Sequence, residues 1–308
     1  MNTNQLIQNL ERPKGKVDVI LDTDAYNEID DQFAIAYMFA NPEKINVKAL
    51  YAAPFYFPEM NNKSTSPKDG MDRSYDEILK VLAMIDVAQS IKDEVYKGSE
   101  IFLKDDQTPV DSPAAQHLAK IAMQYDSKNP LYVVAIGAIS NIASAILLNP
   151  EITQRIVVVW LGGHALHWPD TKEFNMHQDI PAARVVFNSG VPLVLLPCHG
   201  VVSSFTVTEA ELSKWLLDKN DISHYLASNT IEEVTYAKGR PWARVIWDVV
   251  AIAWLLDEQF MSESLEKCPI PQDNGYYSHS TNRHFMKYVY HINRDALIDD
   301  LFKKLLAL

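Results

Sequence analysis

Cysteine is nearly absent from this chain: two residues, Cys198 and Cys268, among 308. Two thiols without zinc-ligand spacing exclude a disulfide framework and a cysteine-held metal, and both are expected to stay reduced. Glycine (10) and proline (16) are too scarce for a collagen-like or low-complexity chain. Positive charge is in deficit, with 28 Lys and Arg against 40 Asp and Glu, a formal charge of −12. Such a chain repels phosphate backbones and anionic lipid, so neither nucleic acid nor a membrane is an expected partner. Long apolar runs are missing too. The opening MNTNQLIQNLERPKGK has no apolar signal core, and VVAIAWLL (249–256) falls well short of the ~20 residues of a bilayer span. A cytoplasmic protein is expected.

What is present has the balance of a globular protein, 47% apolar and 22% charged. Short β-branched runs at 17–21, 47–53, 131–136, 156–163 and 192–198 alternate with helical patterns at 30–40, 74–89, 112–125, 140–148 and 180–188. Beyond about 208 the chain reads as mostly helical, with one late candidate strand, FMKYVYHI (285–292), and a terminal amphipathic helix. Strands apolar on both faces and separated by helices predict an α/β fold, a mostly parallel central sheet with helices on both faces. Ligands then belong at the carboxyl ends of the strands. No linker, repeat or composition shift divides 1–308, so one domain is expected.

The first such strand end carries Asp22-Thr23-Asp24-Ala25-Tyr26-Asn27-Glu28-Ile29-Asp30-Asp31, five carboxylates in ten residues. Asp30 and Asp31 alone could be helix caps offsetting the dipole. Asp22 and Asp24, at the end of a buried strand, would repel one another without a counter-ion, and a hard divalent cation with oxygen ligands resolves that repulsion. Two chemistries use such an Asp-x-Asp. One is a phosphoaspartyl phosphatase with Asp22 as nucleophile and Mg²⁺ beside it. That motif usually continues with a small pair such as Gly-Thr, and here Ala25-Tyr26-Asn27 follows.

The other is the nucleoside hydrolase family. VILDTD…DDQFAIAY resembles its opening motif. AIGAISNIASAILLNPEI (135–152), the block GGHALHWPDTKEFNMHQDIPAARVVFNSGVPL (162–193) and VIWDVVAIAWLL (245–256) are similar to its later blocks, in the same order. The resemblance implies a Rossmann-like α/β domain that hydrolyses the N-glycosidic bond of a ribonucleoside with the help of Ca²⁺. It implies Asp24 as general base and calcium ligand, with Asp31, Asp248 and the main-chain carbonyl of Ile136 completing the metal set. Asp30, Glu173 and Asn175 match ribose-hydroxyl contacts, and His167 stands where Asn is usual. It also implies a small-molecule ribosyl substrate and a homo-oligomer, dimer or tetramer.

The sequence departs from that pattern in three places. Trp247 replaces the His that commonly precedes the last aspartate as leaving-group acid. A purine-preferring branch is similar in having Trp-Asp there, so base stacking on Trp247 is the expected substitute, with His164, His167 and His177 as other candidate acids. The loop from Asp24 to Asp30 is two residues longer than usual, which brings Asn27 and Glu28 toward the sugar. The stretch 54–75 lacks the usual Asn turn, with Asn61, Asn62 and Ser64 as possible replacements. Asn282, Arg283 and His284 could line the mouth of the site. A binder that kept the metal and ribose contacts but lost turnover is the third reading.

Overall fold

The run VDVILDT sends alternate side chains to opposite faces. In the computed structural model, which describes residues 1–59, 63–237 and 239–308, it forms β1 (Val17–Thr23) in the middle of the sheet. The strands that follow are β2 (Ile45–Ala52), β3 (Val95–Lys97), β4 (Leu131–Ala135), β5 (Ile156–Leu161) and β6 (Leu193–Leu196). β7 (Thr206–Thr208) and β8 (Ala243–Val245) make a small ribbon, as do β10 (Ile270–Pro271) and β11 (Tyr277–Ser278). β9 (Met261–Lys267) and β12 (Phe285–Ile292) finish the main sheet, ordered β3-β2-β1-β4-β5-β6-β12-β9. Neighbours are parallel throughout except β12 and β9 at one edge.

The helices are α1 (Thr3–Asn9), α2 (Asp31–Phe39), α3 (Pro67–Ala83), α4 (Pro113–Ile121), α5 (Ser140–Leu148), α6 (Phe174–Gln178), α7 (Ile180–Asn188), α8 (Glu209–Trp215), α9 (Asp221–Glu233), α10 (Val249–Ala253) and α11 (Arg294–Leu305). Strand parity assigns them to two layers. Val19 and Leu21 join one apolar cluster with α2, α3, α9, α10 and α11. Ile20, with Val133 and Val158, joins the other, with α4, α5 and α7. The period of two along buried strands thus builds a core on each face.

Two expectations are corrected. The helix placed at 74–89 is α3, and it starts at Pro67 and ends at Ala83. Ser66 caps it by accepting from Asp69 N, and Pro67 sits in the first turn, where its missing N–H costs nothing. Gly70, which reads as a loop residue, lies inside this helix because Phe55 crosses it closely: a Cβ there would fall 2.0 Å from the Phe55 carbonyl oxygen. The segment after 208 is less helical than its pattern suggests. MSESLEK lacks the apolar run of an interior strand, yet it forms β9, because an edge strand needs only one neighbour and its half-buried polar side chains find partners, Glu263 with Arg12 and Lys287. The opening residues hold α1, whose Leu6 joins the core.

From β1 the chain steps outward to β2 and β3, then returns to β4 on the other side of β1 and continues to β5 and β6. This reversal opens a crevice between the carboxyl ends of β1 and β4, the natural ligand position in such a sheet. Asp22 pairs in register with Ala135, so the residues just beyond, Asp24 and Ile136, emerge side by side.

Candidate active site

The turn after β1 is tied to itself: Asn27 N donates to Asp24 O at 2.7 Å, and Gln32 Nε2 to Ala25 O at 2.7 Å. The helix it feeds, α2, is buried along its whole length. The carboxylates of the turn are drawn inside with it, Asp24 at 2% exposure and Asp30 and Asp31 at 1% each. A cavity of about 630 Å³, partly open to solvent, lies over them. Asp24, Asn27, Glu28, Asp30 and Asp31 form one wall, and Asp248 faces them from just before α10. Ile136, Glu173 and Asn175 form the second wall, and Trp247, His164 and His199 the third.

Carboxylate oxygens of Asp30, Asp31 and Asp248 lie within 4.8 Å of one another. Both oxygens of Asp30 and Oδ2 of Asp24 have no hydrogen-bond partner among the described residues. Asp30 occupies the cap position of α2 without making a cap bond, so the helix-capping explanation fails for it. Asp31 accepts from Thr23 Oγ1. Burial raises all four aspartates above the usual carboxylate range, Asp31 to about 7, and their mutual charge adds to the rise for Asp24, Asp30 and Asp248. Arg244, the cation that acts on Asp30, is bonded to Glu28 at 2.9 Å. Crowded, dry, unpartnered carboxylate oxygens are the donor set of a hard cation, and the Asp30–Asp31–Asp248 trio could hold one. Asp30, expected at the sugar, is also a member of this trio, with Asp24 beside it.

Asn175 donates from Nδ2 to Ile136 O at 3.2 Å and to Leu161 O at 3.1 Å, which leaves its Oδ1 for a ligand. The Ile136 carbonyl keeps a second lone pair. Glu173 lines the cavity but accepts from three backbone amides, Gly163, Asn175 and Met176, at 2.8–2.9 Å. It is first of all the clamp that holds α6 against the end of β5, and burial raises it to about 7. Trp247 is half-buried, packed on the core and bordering the cavity at once.

Several expected residues stand elsewhere. His167 is exposed beside Gly200 and is not part of the cavity wall. His177 packs against Phe57, which also meets Phe174 edge-on at 6.0 Å. Ser64 donates to Phe55 O, while Asn61 and Asn62 lie outside the described residues. Arg283 is spent on carbonyls of Phe187, Cys268 and Pro269, away from the mouth. Asp22 accepts from Asn141 at 2.7 Å and does not line the cavity, which leaves the phosphatase reading without its nucleophile. Sequence reasoning missed His199, at the carboxyl end of β6, and Arg244. The rule that ligands gather at strand ends points to the first. Nothing local points to the second.

The fold and this pocket define an α/β protein with a buried acidic cup at the switch point of its sheet and aromatic and imidazole groups opposite. The sequence model of the inosine-uridine preferring nucleoside hydrolase family matches residues 58–299, and the chain belongs to that family, whose members hydrolyse N-glycosyl bonds. The match begins beyond the acidic turn. The pyrimidine-specific ribonucleoside hydrolase RihA of Salmonella arizonae is 24% identical over 285 residues, covering 84% of this chain and 86% of that one. Among solved structures, a plant nucleoside hydrolase, PpNRh1, superposes with a TM-score of 0.73 at 18% identity, over 96% of this chain and 100% of that one. A purine-preferring ribonucleoside hydrolase from Gardnerella vaginalis gives 0.71 at 18%, over 94% and 98%. The expected fold is therefore the observed one.

Proposed function

We propose that the chain, acting as one domain, hydrolyses a ribonucleoside to ribose and a free base with Ca²⁺ as its resident cation. The observation that carries this reading is the set of buried, unpartnered oxygens on Asp24 and Asp30 beside Asp31 and Asp248. Asp24, Asp30, Asp31, Asp248 and the Ile136 carbonyl would hold the ion, which when bound supplies charge neutralisation and Lewis acidity.

The chain's own groups supply the rest. Breaking the N-glycosidic bond develops positive charge on the sugar, and the surrounding carboxylates stabilise it through a low-dielectric path. Asp24, kept among like charges, accepts the proton of the attacking water. Asn175 Oδ1, Asn27 and Asp30 orient ribose hydroxyls, and Glu173 acts by holding Asn175 in place. Trp247 offers a flat face to the departing base, which favours a purine.

The test is release of reducing sugar and free base from a panel of purine and pyrimidine ribonucleosides, with Ca²⁺ and with chelator. Chelator-sensitive release is expected, fastest with purines. Tight nucleoside binding without release over long incubation would sink the hydrolase reading in favour of a ribosyl binder.

A further inference from the structure

The proposed hydrolysis leaves one requirement unmet. A base that departs without a proton leaves as a poorly stabilised anion, and carboxylates that hold a cation act as acceptors. Trp247 stacks but carries no proton that is acidic near neutrality. Four cavity-lining side chains could donate one: Cys198, Lys172, His164 and His199. Burial pushes the Cys198 thiol well up, and the carboxylates of Glu173 and Asp248 raise it further. Lys172 lays its stem along Gly275, on the side of the cavity away from the ring contacts that Trp247 makes.

The two imidazoles differ. His164 is buried, and its Nδ1 accepts the backbone N–H of His199 at 3.3 Å. Burial and the neighbouring His199 lower it to about 4, so it stays neutral. His199 instead stands exposed at the mouth of the cavity. Its ring meets Trp247 edge-on at 5.6 Å and stacks on Trp168 at 5.6 Å with 22° between planes. The main chain beneath is locked: Ala165 N donates to His199 O at 3.0 Å, and Cys198 N to Gly163 O at 2.8 Å. Gly200 completes the turn at φ +89°, where a Cβ would strike that of Ala165 at 2.8 Å. Aromatic packing on two sides and a pinned backbone hold a solvent-accessible imidazole beside the indole expected to carry the base.

Resting on the hydrolase reading above, we propose that His199 is the leaving-group acid of this enzyme. As the C1′–N bond breaks, its electron pair goes to the base, and the imidazolium of His199 gives its proton to a ring nitrogen or exocyclic oxygen of that base. The water that adds to C1′ gives its own proton to Asp24. The enzyme is left with a neutral imidazole and a protonated carboxyl, which proton exchange with solvent resets, and nucleoside plus water has become ribose plus base.

The experiment compares wild type, His199→Gln and His199→Asn on ribonucleosides and on 4-nitrophenyl β-D-ribofuranoside, whose nitrophenolate departs without protonation. Melting temperature is recorded alongside. Both variants should lose about 10²–10⁴-fold in kcat on nucleosides while nitrophenyl riboside turnover stays nearly unchanged. Equal losses on both substrates would show a positioning role and overturn the proposal. Unchanged nucleoside turnover would overturn it outright. Wild type that cleaves the nitrophenyl riboside but no nucleoside would also overturn it, since no acid then operates, while hydrolysis of the ribosyl bond would still stand. Cleavage of neither substrate would bring down the hydrolase reading and this role together.

Discussion

Two buried carboxylate regions of this molecule are built on opposite principles. Asp179, 1% exposed under the other face of the sheet, has every oxygen engaged: Oδ1 accepts from Ala182 N at 3.0 Å, and Oδ2 from Ser140 Oγ at 2.6 Å and Leu103 N at 3.0 Å. It caps α7 and ties that helix to α5 and to the loop before α4. Asp30, equally buried, has no partner on either oxygen among the described residues and four acidic neighbours, Asp24, Glu28, Asp31 and Asp248. A fold tolerates the first because hydrogen bonds replace water. A carboxylate with both oxygens bare among like charges is costly unless something from outside completes the site, so the two regions differ in function though not in exposure.

Breaking each region should give opposite signatures. Asp24→Ala is expected to lower turnover about 10³-fold. It should raise the melting temperature of the metal-free protein, because one of several crowded like charges is gone. Steady-state kinetics and thermal melts with chelator check both, and retained activity would remove Asp24 as the base. Asp179→Ala should do the reverse, costing about 3 kcal/mol of stability by stranding three donors while kcat per folded molecule persists. Urea unfolding measures the first and active-site titration the second.

A subtler difference lies in pH and metal dependence. Asp22 and Glu173 are raised to about 7 and Asp179 to about 6, all by burial. Between about pH 4 and 7 the native chain keeps protons that the unfolded chain has released, so stability of the metal-free protein falls as pH rises through that window. Ca²⁺ should oppose the fall, lifting the melting temperature by several degrees at pH 8 and by less at pH 5. Equal shifts at both values would mean that the cup does not bind the ion as carboxylates. The smallest expected effect belongs to Arg244→Gln, which frees Glu28 from its 2.9 Å bond. Loss of that partly buried pair should raise KM roughly five-fold, about 1 kcal/mol, with kcat held.

Much of this was open to a reader of the sequence. The helices at 140–148 and 180–188 fall where their caps and stops place them, at α5 and α7, because those signals are local. Asp24, Asn27, Asp30, Asp31, Ile136, Glu173, Asn175, Trp247 and Asp248 all border one cavity. His167 does not: it lies exposed on the surface beside Gly200. α3 was hidden by Gly70, whose reason for being glycine is Phe55 fifteen residues earlier.

By itself the sequence determined a two-faced parallel sheet and an acidic first strand end, since both follow from periodicity and from charges a few residues apart. Tertiary structure alone decided which acids would be left without partners, that Glu173 would clamp rather than stand free, that Arg244 would reach Glu28 from 216 positions away, and that His199 would face Trp247. Those outcomes depend on which strand ends become neighbours and on what water is expelled between them. Neither quantity exists until the sheet has closed.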